Sequence, residues 1–100
     1  MSDLTIRELQ ERAHKTAIEH GWWEGDRNVG ELIALMHSEL SEALEEWRKG
    51  ELLNVARELA DCVIRIADFC ERHGFDLTAL LETKMAYNDT REFRHGGKRA

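Results

Sequence analysis

LLNVARELADCVIRIADFCERH, residues 52–73, decides the fold of this chain. Val55, Leu59, Ala60, Val63, Ile64, Ile66, Ala67, Phe69 and Cys70 recur at helical spacing and spread over more than one helix face. A helix apolar over so wide an arc is central to its domain or buried against another subunit. Glycine follows at position 74, where a helix stop belongs. Working outward, a second helix is expected upstream from a cap at Asn28, with Glu31 three residues inward, to Gly50. Its apolar stripe is Leu32, Leu35, Met36, Leu40, Ala43, Leu44 and Trp47. A first helix is expected from Thr5, with Glu8 completing a capping box, to Gly21. Downstream, Asp76 caps a fourth helix carrying Leu77, Leu80, Leu81 and Met85 to about Asp89. Proline is absent, and residues 92–100, with Gly96-Gly97, lack apolar periodicity and read as a basic, mobile tail. The expectation is an all-α fold: one domain over residues 1–100, a four-helix bundle element completed by partner subunits.

A net charge of −6 argues against nucleic acid as partner, because phosphate neutralisation needs a basic surface. The charge is uneven, with Lys84, Arg91, Arg94, Lys98 and Arg99 set against Asp89 and Glu92 near the end. An acidic body with a basic tail suits a ligand carrying both metal and phosphate. Cys62 and Cys70 are separated by about 12 Å of helical rise, too far for a disulfide, and read as reduced thiols. With no apolar run of transmembrane length and no signal-peptide pattern, the expectation is a cytoplasmic protein without a membrane partner.

The chemistry lies in Glu39-Leu40-Ser41-Glu42 and Glu58-Leu59-Ala60-Asp61. At i,i+3 two side chains share a helix face one turn apart. If the two helices pack antiparallel, four carboxylates converge, and each pair about 4 Å apart repels by about 4 kcal/mol at an effective dielectric near 20. Such a group needs solvation, protons or a cation, and hard divalent ions take oxygen ligands. The same spacing at Glu8/Glu11, Glu42/Glu45, Asp68/Glu71 and Asp89/Glu92 is what a Glu-rich chain produces by chance. The central pairs differ because they adjoin apolar core positions. Further on, Lys84, Asn88 and Arg91 fall at i, i+4, i+7 on one helix face. An ammonium, an amide and a guanidinium make a suitable set for phosphate oxygens. Met85 and Tyr87 read as core, and His14 and His20 as helix-surface residues.

These motifs, in this order and spacing, resemble the MazG-like all-α nucleoside triphosphate pyrophosphohydrolases. The resemblance covers roughly residues 28–98, including Arg27-Asn28 and His95-Gly96-Gly97-Lys98. It implies cleavage of a ribo- or deoxyribonucleoside triphosphate between its α and β phosphates, giving monophosphate and pyrophosphate. By that likeness Glu39, Glu42, Glu58 and Asp61 hold Mg²⁺, with Mn²⁺ an acceptable substitute. Glu42 and Asp61 are the candidate catalytic acids, and Lys84, Asn88, Arg91 and Lys98 the phosphate-binding set. Trp22 and Trp47 are candidates for stacking on the base. The family assembles as dimers or tetramers, so a homodimer or homotetramer is implied. Arg65 departs from the pattern, since some relatives carry an aromatic side chain there. The rival reading is a noncatalytic acidic interaction or adaptor module. A di-iron carboxylate bundle wants Glu-x-x-His pairs, and neither Glu39 nor Glu58 has a His three residues on.

Overall fold

The computed structural model describes residues 3–91, and within them the chain is all-α. The four helices are α1 (Ile6–Glu19), α2 (Val29–Arg48), α3 (Leu52–Arg72) and α4 (Leu77–Asp89). The expected tail, with Lys98 and the His95–Lys98 stretch, lies outside the described residues.

Local chemistry sets these boundaries. Thr5 Oγ1 accepts from the Glu8 N–H at 3.0 Å while Glu8 Oε1 accepts from the Thr5 N–H at 3.1 Å, a complete capping box. Asn28 Oδ1 accepts from the Glu31 N–H at 3.3 Å, but the Glu31 carboxylate turns to Arg27 Nη1 at 2.8 Å instead of back to Asn28. Asp76 Oδ1 caps α4 by accepting from the Ala79 N–H at 3.2 Å. Gly50 and Gly74 end α2 and α3 at φ of 77° and 74°. That left-handed turn lets Glu51 N–H reach Glu46 O (3.0 Å) and Phe75 N–H reach Cys70 O (2.8 Å), satisfying carbonyls the helix leaves open.

Helix α3 is central, packing on α2 along one side and α1 along another, while α4 packs chiefly on α1. The seam is built from small side chains: Ala13, Ala43, Cys62, Ala67 and Cys70 are buried, with Leu32 the one large apolar residue among them. Fully buried Gln10 ties α1 to the turn before α4. Its Nε2 donates to Phe75 O at 2.8 Å, and its Oε1 accepts from the Leu77 N–H at 2.9 Å, one of the open donors at the start of α4.

The apolar stripe of α2 divides in two. Leu32, Glu39 and Ala43 face α3, whereas Leu40, Leu44 and Trp47 are exposed. Leu52, Leu53, Leu59, Val63, Ile64 and Ile66 of α3 are exposed as well. Met85 and Tyr87, read from the sequence as core, are also on the surface, because α4 buries none of its residues. The radius of gyration, 15.8 Å, exceeds the roughly 12–13 Å of a compact chain of this size.

Candidate functional site

Glu39 faces inward because the buried seam of α2 runs Leu32, Glu39, Ala43 at spacings of seven and four, one helix face. Glu58 and Asp61 stand one turn apart on α3 opposite it. Carboxylate oxygens of Glu39, Glu58 and Asp61 lie within 4.8 Å of one another. Two oxygens sharing an ion at 2.0–2.6 Å stand at most about 4–5 Å apart, so the spacing suits a divalent cation after slight contraction.

Glu42 joins the group through Glu58. The Glu58 carboxyl is pushed up from its ordinary range to about 6, first by hydrogen bonding with the Glu42 carboxylate, then by burial. The charges of Glu42, Asp61 and Glu39 add to this. Ionised carboxylates only accept hydrogen bonds, and Glu58 Oε2 is buried with no partner among the described residues. A proton or a cation is what this arrangement calls for. The donor set is all oxygen and hard, which fits Mg²⁺ or Mn²⁺ rather than a thiophilic metal.

Arg65, one turn beyond Asp61, supplies a cation of the protein's own. Its Nε donates to Glu39 Oε1 at 2.8 Å, and its guanidinium lies 4.3 Å from the centre of the Trp22 ring. Arg27 approaches the same ring to 4.4 Å, with its Nε donating to Trp22 O at 2.8 Å. Trp22 thus stands in a cationic setting beside the acids, while Trp47 is 65% exposed and its ring meets no cation among the described residues. Next to Arg65 a cavity of about 450 Å³ opens between α1 and α3, lined among others by Ala13, Ala17, Trp22, Ile64 and Asp68.

No protein-family model, curated protein or solved structure matches the chain. The reading of the site therefore rests on its geometry and on its motifs.

The phosphate-binding candidates sit on a different element from the acids. Lys84 and Asn88 are in α4, which packs chiefly on α1. Arg91 lies two residues past the end of α4, its N–H donating to Asn88 O at 3.1 Å. Lys84 Nζ and the Arg91 guanidinium both approach the Tyr87 ring, at 5.5 and 5.6 Å from its centre. The cationic face is thus gathered around one exposed aromatic side chain.

Two features were missed in the sequence. Asp68, set aside as a chance acid, is buried and accepts from Trp23 Nε1 at 3.0 and 3.1 Å, and it pairs with His14 Nδ1 at 2.8 Å. His14 is accordingly half-buried against α3 and not a surface residue. The available signal was periodicity, since Asp68 lies seven residues after Asp61, on the same face of α3. The second is the Arg65–Glu39 bond, which i,i+4 spacing from Asp61 made approachable but not determinable.

Proposed function

We propose that the chain is a Mg²⁺-dependent nucleoside triphosphate pyrophosphohydrolase of the MazG-like kind, cleaving between the α and β phosphates. One observation carries this reading: oxygens of Glu39, Glu58 and Asp61 gathered within 4.8 Å at the meeting of α2 and α3, with a buried, unpartnered Glu58 oxygen among them. An acidic docking module would direct its carboxylates to solvent. Here Glu39 is buried and Glu58 half-buried beside exposed Glu42 and Asp61, and a bound cation offsets the solvation cost of the two inner acids.

Glu39, Glu42, Glu58 and Asp61 would hold the ion. When bound, it supplies charge neutralisation at the phosphates and a more acidic water. The carboxylates would orient the attacking water, and Glu42 or Asp61 would take its proton as the water oxygen bonds to the α-phosphorus. The bond from the α-phosphorus to the bridging oxygen breaks, and pyrophosphate leaves. Little else is required of the protein, since phosphoryl transfer relies on positioning and charge stabilisation. Lys84, Asn88 and Arg91 bind the phosphates, with Arg91 offering a bidentate fork.

Self-association belongs to the proposal. Helix α4, which carries the cationic face, packs chiefly on α1 in its own chain, and the exposed apolar residues of α2 and α3 offer a surface that a second copy would cover. A homodimer or homotetramer brings a further α4 within reach of the acids. Glu42→Gln and Asp61→Asn should each abolish Mg²⁺-dependent release of pyrophosphate while retaining helicity by circular dichroism. Full activity in both variants, or orthophosphate as the product, would overturn the reading.

A further inference from the structure

The acids and the cavity share one face of α3. Glu58, Asp61, Arg65 and Asp68 follow at spacings of three, four and three, so the face runs from the metal ligands to the cavity wall over about 10 Å from Asp61 to Asp68. A nucleotide whose phosphates lie at Glu58 and Asp61 can extend along this face to place its sugar and base at Arg65 and the space between α1 and α3.

Arg65 is held firmly at that junction. Its Nε is bonded to Glu39 and its guanidinium carbon lies over the Trp22 ring, 4.3 Å from the centre, which leaves the terminal Nη1 and Nη2 groups. Those groups make no hydrogen bond within the described residues, and Arg65 lines the cavity. Asp68, the acid in the same wall, already accepts from Trp23 and pairs with His14. Arg12 adds a second cation to the lining. In a chain of net charge −6, this cavity is lined by two guanidinium side chains. Its volume of about 450 Å³ is in the range of small-molecule sites, ample for a purine and part of its sugar.

We infer that Arg65 is a specificity-determining residue that selects 6-oxopurine bases, guanine and hypoxanthine, by donating from Nη1 and Nη2 to O6 and N7. The chemistry follows from the fork. Two parallel N–H donors match two adjacent acceptors, and guanine presents O6 beside N7. Adenine sets an amino donor beside N7, cytosine presents an amino group, and uracil or thymine has a single carbonyl at the corresponding edge. Anchoring by Glu39 and Trp22 pre-orders the guanidinium, so the same residue that moderates the acid cluster also reads the base.

This inference rests on the pyrophosphohydrolase reading, and the experiment separates the two. Binding of the non-hydrolysable α,β-methylene triphosphates of guanosine, adenosine, cytidine and uridine, in ribo and deoxy forms, is measured by calorimetry with Mg²⁺. Guanine analogues should bind about tenfold or more tightly than the others, as a good bidentate pair discriminates. Arg65→Gln should erase that ranking, and Arg65→Lys should restore little of it because an ammonium lacks the fork. For the unaltered protein, kcat/KM should fall about tenfold from dGTP to 7-deaza-dGTP, which keeps O6 and loses the N7 acceptor. Equal binding of all bases, indifference to 7-deaza substitution, or a guanine preference that survives Arg65→Gln overturns the assignment of Arg65, while pyrophosphate release continues to support the enzyme. Absence of both binding and cleavage for every triphosphate overturns both.

Discussion

Replacing Asp61 with Asn should change thermal stability in opposite directions with and without a divalent ion. Asp61 is exposed and close in shape to Asn, so the substitution perturbs charge more than packing. Its carboxylate oxygen stands within 4.8 Å of one on Glu39. At that separation two unit charges repel by about 0.9 kcal/mol in a water-like dielectric and about 3.5 kcal/mol at an effective dielectric of 20. Exposure places the value near the lower figure. Without metal, Asp61→Asn should thus gain about 1 kcal/mol, raising Tm by about 4–8 °C in a domain of this size. With Mg²⁺ at about a hundred times its Kd, the unaltered protein gains about 2.7 kcal/mol, or roughly 10–20 °C. The variant, lacking a ligand, should show little of that shift. Melting followed by circular dichroism in EDTA and in excess Mg²⁺ gives all four values. A variant less stable than the parent in EDTA, together with an unchanged Mg²⁺ shift, would refute the crowded-carboxylate argument.

The raised Glu58 carboxyl sets a pH dependence of known sign. A proton held more tightly in the folded state favours folding below the ordinary carboxylate range, and that contribution is lost as pH rises through about 6. Metal must displace the same proton, so apparent Mn²⁺ affinity should fall about tenfold per unit below pH 6 and level off above it. Titrations across pH 5–8 that show no slope would dismiss the shared proton. Lys84→Ala should weaken binding of a non-hydrolysable triphosphate about tenfold while leaving the Mg²⁺ stability shift intact, and unchanged nucleotide affinity would remove Lys84 from the site. Asp68→Ala leaves Trp23 Nε1 and His14 without their buried acceptor, so about 3 kcal/mol of stability should be lost, read from urea unfolding. A loss under 1 kcal/mol would show that the network adds little.

The helices were legible because their ends are written in local chemistry. Thr5 with Glu8, Asn28, Asp76 and the glycines at 50 and 74 act within one turn of the chain, and a single sequence carries all of that information. The pairing of the acids was legible too, since i,i+3 spacing on two neighbouring helices needs only an antiparallel connection to bring them together. What stayed hidden depended on a third element. Asp68 differs from a solvated acid only because α1 delivers His14 and the loop after it delivers Trp23. Leu40 and Leu44 share the apolar character of Leu32, yet the small residues of α3 meet α2 on one face alone. The direction of α4 follows from Gln10, whose contacts at residues 75 and 77 span more than sixty positions and leave no periodic trace.

The two cysteine sulfur atoms in the α3 seam make the chain its own clock. Cys62 Sγ lies 3.8 Å from Met36 O at the junction with α2, and Cys70, its thiol pushed up by burial, sits near the far end of α3. Both cysteines are buried, so parting of the neighbouring helix should speed the attack of a thiol reagent on either. Labelling rates followed separately at the two positions would therefore compare how readily each end of the central helix opens, with no cysteine introduced by mutation.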